Sequence, residues 1–194
     1  MFVWTKPMAD HLAAFLTGQE AREFSYAAVG ATAGAPPAGF AVDHVRVPLG
    51  EGETVFQAAK EALQNWQQLD LGWIVAGPCT TPLIAGAQVA TVVRAMGGWW
   101  VNACRIVYVI DEAGPVRRFG FAYGTLAGHL ECGEERFLVE WNAADDRVSY
   151  DIHVFSRPAH WLARVGYPFV RLLQERFRRE SAAKMQHLAG RAGR

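Results

Sequence analysis

His129, Glu131, Glu134 and Glu135 crowd into seven consecutive residues. One imidazole among three carboxyl groups is the composition of an acid–base set, or of a zinc or hard-metal site. The spacing matches no standard metal-binding loop, and adjacent side chains on a strand leave on opposite faces, so Glu134 and Glu135 would diverge. No metal is therefore expected. The cluster reads instead as the mouth of a pocket, with His129 and Glu135 hydrogen-bonding neighbouring backbone. A second group, Arg136 and Glu140 with Asp151 and His153, falls on alternate positions of two β-like runs and reads as cross-strand ion pairs on a solvated outer face. No GxSxG elbow is present. Cys79, Cys104 and Cys132 have no metal, redox or nucleophile spacing, so they read as free thiols and no catalytic residue is assigned.

The elements that must position these groups follow from periodicity. Val116–Leu126 puts Phe119, Phe121, Tyr123 and Thr125 on one face and Gly120, Ala122 and Gly124 on the other. Phe137, Val139 and Trp141 repeat the apolar face over Glu135–Trp141, as do Tyr150, Ile152 and Val154 over Arg147–Phe155. These faces look toward a core or cavity, in which Tyr123 and Tyr150 are the polar handles. The candidate ligand-binding set is Phe119, Phe121, Tyr123, His129, Glu135, Trp141 and Tyr150. Gly97-Gly98 marks a hairpin, and DEAGP, GHLECG and NAADD separate the later strands of an antiparallel meander.

Helical spacing predicts a short helix over Met8–Leu16 and a longer one over Glu53–Leu69, with a strand at Val42–Val47 between them. The glycines of GAPPAG (34–39) suggest a dinucleotide fingerprint, but Pro36-Pro37 opposes the strand-to-helix turn that motif needs, and the stretch reads as a connector. The last element is expected to be a long helix beginning near Ser156-Arg157-Pro158, kinked near Tyr167 by Gly166 and Pro168. Its apolar stripe is Trp161, Val165, Phe169, Leu172, Leu173 and Phe177. Its Arg164, Arg171 and Arg178 repeat reads as a solvated face.

Nineteen basic and nineteen acidic residues leave no net field for a polyanion, so no nucleic-acid partner is expected. Half of the 194 residues are apolar, enough for one core, and one domain is expected: an N-terminal helix and connector over 1–40 and the core over 41–190. The longest apolar run, Pro82–Val93, is interrupted by Gln88 and too short to span a bilayer. With an odd cysteine count and no leader pattern, the expected location is the cytoplasm.

The segments GFAYGTLAGHLECGEERFLVEW and YDIHVFSRPAHWLARVGYPFVRLLQERFRRES resemble a bacterial and plant domain-of-unknown-function family, number nineteen-ninety. The shared patterns are GxLxGHxExGEExF and FSRPxxxLxxxGYPxxRxxQ. FSYAAVGAT and the helix preceded by PLGEGETVF add the N-terminal half, so the likeness runs from Phe24 to Met185. The resemblance implies an α+β, START-like helix-grip fold: a curved antiparallel sheet of about six or seven strands with a long C-terminal helix across it. It also implies binding of a small apolar or amphipathic molecule between sheet and helix. It supplies no catalytic residue and no cofactor, and the family pattern varies at His153. Two other functions stay open: an enzyme of the same fold with a carboxylate or histidine in the pocket, and an interaction module without a ligand.

Overall fold

A computed structural model describes residues 1–159 and 166–193 of the chain. Its strands are β1 (Phe2–Val3), β2 (Ala41–Glu51), β3 (Ile74–Gly77), β4 (Gln88–Ala95), β5 (Gly98–Glu112), β6 (Val116–Thr125), β7 (Glu131–Asn142) and β8 (Arg147–Pro158). The helices are α1 (Ala9–Thr17), α2 (Glu53–Gln64) and α3 (Tyr167–Ala192). Among the described residues the strands form one antiparallel sheet in the order β2-β8-β7-β6-β5-β4-β3, with β1 pairing β5. This is the START-like helix-grip layout: a curved sheet with one apolar face, and a long helix to cover it. Among the described residues the sheet has eight strands, two of which, β1 and β3, are only two and four residues long and too short to leave a period-two signal.

The concave face is divided between two covers. At one end α2 packs Phe56 and Leu63 against the sheet, joined by Trp66 just beyond it, with Trp66 edge-on to Phe121 at 4.8 Å and Phe56 near Trp141 at 6.2 Å. Each of these side chains contributes about 1.5–3 kcal/mol by leaving water. The helix stops at Gln64, five residues before the expected end. Trp66 adopts a left-handed conformation (φ 57°) that drops its indole into the core, where Nε1 donates to the Thr81 carbonyl at 2.9 Å. Burial of that ring outweighs the helix periodicity that runs on to Leu69.

The last described helix, α3, runs from Tyr167. Ser156-Arg157-Pro158 does not cap it; these residues extend β8, paired with Gly133, Cys132 and Glu131 of β7. The backbone ladder offered by β7 wins over a local capping signal. Pro168 lies in the first turn of α3, where its missing N–H is harmless; the residues before the kink expected near Tyr167 lie outside the described ones. Trp161, Arg164 and Val165 lie outside the described residues. Phe177 is buried, whereas Leu172 is 64% exposed and does not share its face.

The convex face is also covered, by the N-terminal stretch. Leu12 and Leu16 of α1 pack on Ala90, Val92, Val101 and Ala103 of β4 and β5. Tyr26 lies on Phe155, and the backbone at Phe24 bridges to Leu126. Gly124 makes this possible, since a Cβ there would collide with the Tyr26 hydroxyl. Helix α1 and the stretch around Phe24 and Tyr26 therefore form an outer layer on the sheet.

Candidate functional site

Between the concave face and the first half of α3 lies a cavity of about 280 Å3. Trp73, Val93, Trp100, Phe169, Leu173 and Phe177 supply its apolar walls. Its polar wall comes chiefly from β7, whose odd-numbered residues Glu131, Gly133 and Glu135 all line it, as alternation along a strand requires.

The Tyr123 hydroxyl donates to Glu135 Oε2 at 2.8 Å. Removal from bulk water pushes the Glu135 carboxyl up to about 7, against smaller lowering effects of that hydrogen bond and of Arg178. What exposure Glu135 has is to the cavity, which is why a partly accessible side chain behaves as a buried acid. Burial likewise raises Glu131, whose Oε1 accepts from Gln174 Nε2 at 2.6 Å. Arg171 donates to Gln174 Oε1 at 2.8 Å and makes a two-pronged pair with Asp43 at 2.6 and 2.7 Å. Arg178 completes the group, 3.2 Å from Asp43 Oδ2. The Arg171 fork holds Asp43 below the usual carboxylate range. His129 Nδ1 accepts from the Glu131 amide at 2.9 Å, and burial lowers its imidazole to about 4, so it is neutral at pH 7.

Of the residues singled out from the sequence, Tyr123, His129 and Glu135 lie together on the cavity wall. Phe119, Phe121, Trp141 and Tyr150 share the concave face but sit behind the cavity, in the core closed by α2 and the second half of α3. Tyr150 meets Ser181 of α3 there at 3.0 Å. Sequence parity identified the face and not where along it the covers leave a gap. The expected GHLECG loop is shorter than its sequence suggests, since Glu131, Cys132 and Gly133 already belong to β7. Among the described residues no three His, Cys, Asp or Glu side chains are arranged to hold a metal.

Glu134 points the other way and is only 2% exposed. It accepts from the Tyr26 hydroxyl and the Gly30 amide at 2.7 Å and the Thr32 amide at 3.0 Å, and also from the Thr32 hydroxyl. One carboxylate thereby pins the strap from Tyr26 to Thr32 across β6–β8. The same strap overturns the reading of a solvated outer face. Asp151 is 2% exposed, pairs with Arg136 at 2.8 Å and with His44, and Arg136 and His153 both contact the Thr32 carbonyl. A β-bulge between Ile106 and Tyr108 turns Tyr108 to this face, where its hydroxyl meets Thr32.

Residues 25–184 match the family model described as Domain of unknown function (DUF1990). The chain belongs to the DUF1990 family. A UPF0548 protein of Dictyostelium discoideum is 32% identical over 209 residues, covering 98% of this chain and 96% of the relative. An Arabidopsis thaliana UPF0548 protein is 38% identical over 155 residues, covering 77% and 74%. Among solved structures, a Helicobacter pylori hypothetical protein, jhp0584, superimposes with a TM-score of 0.52 at 10% identity, covering 86% of this chain and 96% of that one. That likeness is of fold alone.

In this DUF1990 chain the residues that sequence reasoning missed as site residues include the wall residues Trp73, Val93 and Trp100 and the polar residues Asp43, Gln174 and Arg178. A signal for two of them was present. Arg171, Gln174 and Arg178 recur at i, i+3 and i+7, one helical face, and a polar stripe at that spacing can turn inward when an acid faces it. The solvated-face reading of Arg171 and Arg178 is corrected by their bonds to Asp43 on β2. No helix among the described residues is long and apolar enough to cross a membrane.

Proposed function

We propose that this protein binds a small apolar or amphipathic molecule in the cavity between the sheet and α3. The observation that carries this reading is the composition of the walls: aromatic and aliphatic side chains on most sides, with one concentrated polar cluster around Glu135 and Glu131. Such a site gains affinity from apolar burial and orients its ligand through a few polar groups. The volume sits at the small end of ligand pockets, about nine water-sized volumes at ~30 Å3 each. The whole chain acts as one domain in this reading, since the N-terminal layer backs the strands that form the polar wall. The three free cysteines fit a reducing, cytoplasmic setting.

Native mass spectrometry after gentle purification, with a thermal-shift panel of lipids and polyketides, tests the proposal. Val93→Trp, which fills the cavity, should abolish any shift seen with the wild type. A ligand that binds the Val93→Trp variant as tightly as the wild type refutes the location. A second reading, acid–base catalysis by the same site, is favoured by one observation, the Glu135 carboxyl raised to about 7 beside the Tyr123 hydroxyl. Turnover of a bound compound, lost in Glu135→Gln with binding retained, separates it from simple binding.

A further inference from the structure

The charges around the cavity do not balance. Glu134 is taken up by its four donors on the far side of the sheet and Glu180 by Arg176 and Trp73, which leaves Asp43, Glu131 and Glu135 as the acids and Arg171 and Arg178 as the bases among the described residues there. Three carboxyl groups against two guanidiniums leave one acid in excess. Both guanidiniums are engaged by Asp43, on the β2 side. His129 sits on the same wall but is neutral at pH 7, so it supplies no charge.

Glu135 is where the excess resides. Its Oε2 takes the Tyr123 hydroxyl, and among the described residues Oε1 has no hydrogen-bond donor. It faces a cavity whose other surfaces include Trp73, Trp100, Phe169 and Phe177. A carboxylate with an unused oxygen at one wall of a cavity otherwise lined by aromatic and aliphatic side chains forms a receptor for an organic cation with an apolar body: the carboxylate accepts its N–H and the apolar walls cover the rest. We infer that the ligand of this cavity is a small amphipathic amine, bound as its ammonium ion with the nitrogen at Glu135 and the apolar body against the aromatic walls. This rests on the reading of the cavity as a ligand site and adds the chemical class of what it takes. The raised Glu135 carboxyl agrees, because removal from water favours the protonated acid until a cation is bound beside it.

The test uses three probes of one shape: phenethylamine, 2-phenylethanol and 3-phenylpropionate, titrated calorimetrically into the full chain at pH 7. Phenethylamine is expected to bind at least ~10-fold tighter than the alcohol, equivalent to about 1.4 kcal/mol, and the carboxylate weakest of the three. Ionisation of Glu135 on binding should release about half a proton at pH 7, read from the dependence of the binding enthalpy on buffer ionisation. In Glu135→Gln the amine preference should fall to within about 2-fold while 2-phenylethanol binds as before. Equal or tighter binding of the alcohol or carboxylate by the wild type overturns the amine assignment and leaves the cavity as a ligand site. Failure of all three probes at millimolar concentration overturns both. The ranking of the three probes on the wild type needs no variant, so it decides the matter even if Glu135→Gln fails to fold.

Discussion

Replacing Glu135 by Gln should stabilise the protein near neutral pH, by an amount that grows with pH in a defined window. The glutamine keeps an acceptor for the Tyr123 hydroxyl and cannot ionise, so it mimics the protonated acid. In the wild type, burial moves the carboxyl from an ordinary 4.5 to about 7. A folded value above the unfolded one means that the native state holds the proton more tightly. The stability this contributes is fully present below about 4.5 and is lost as pH rises through 7. At 1.36 kcal/mol per pH unit the displacement corresponds to roughly 3 kcal/mol, or about 2 kcal/mol once solvent in the open side of the cavity is allowed for. Glu135→Gln should thus equal the wild type near pH 4.5 and exceed it by about 2 kcal/mol at pH 7–8, which is ~4–8 °C in Tm for a chain of this size. Urea denaturation at pH 5, 6, 7 and 8 with a shared m-value measures the difference. His129 titrates in an overlapping window, but it is common to both proteins and drops out. Stability curves that run parallel within about 0.5 kcal/mol would refute the idea that Glu135 is a destabilised functional acid. A gain at pH 7–8 would place it among groups kept at the expense of stability, as binding sites often are.

The opposite dependence is expected at His129, whose folded value of about 4 lies below the ordinary 6.5. The wild type should lose stability as pH falls from about 6.5 toward 4, and His129→Asn should flatten that acid limb in thermal melts at pH 4.5 and 7. Glu134→Ala removes the acceptor for four donors, so amide exchange at Gly30 and Thr32 should accelerate at least ~30-fold, with a loss of about 2–4 kcal/mol; unchanged exchange there would mean that the strap is held by packing alone. Gly124→Ala sets a methyl against the Tyr26 hydroxyl and should destabilise by about 1–3 kcal/mol. Tyr26→Ala should relieve most of that loss, and additive effects in the double variant would rule out the contact as its cause.

Much of this architecture is legible in the chain itself. The alternation of Phe119, Phe121 and Tyr123, of Phe137 and Val139, and of Tyr150 and Ile152 identifies the buried face because side chains on a strand alternate strictly. The Gly97-Gly98 signal locates the β4–β5 hairpin to within one residue, its turn being Met96-Gly97 with both φ values positive. Element ends are less legible, because they are settled by partners distant in sequence. Ser156 looks like a helix cap until Gly133 is paired with it, and the helical pattern of α2 runs on until the core takes the Trp66 ring.

For the candidate site the division is sharper. The sequence by itself sorted the strand side chains into an apolar and a polar face, put Tyr123, His129 and Glu135 within twelve residues of one another, and called for a long C-terminal helix across the sheet. Only the tertiary structure decided which of the inward residues meet a cavity. That depends on where α2 stops and α3 starts over the same face. It also decided that Arg171 and Arg178 turn in toward Asp43 and that Glu134 anchors the strap on the far side. Periodicity assigns a side chain to a face, but the charge it meets there comes from a residue more than a hundred positions away, and no local pattern carries that information.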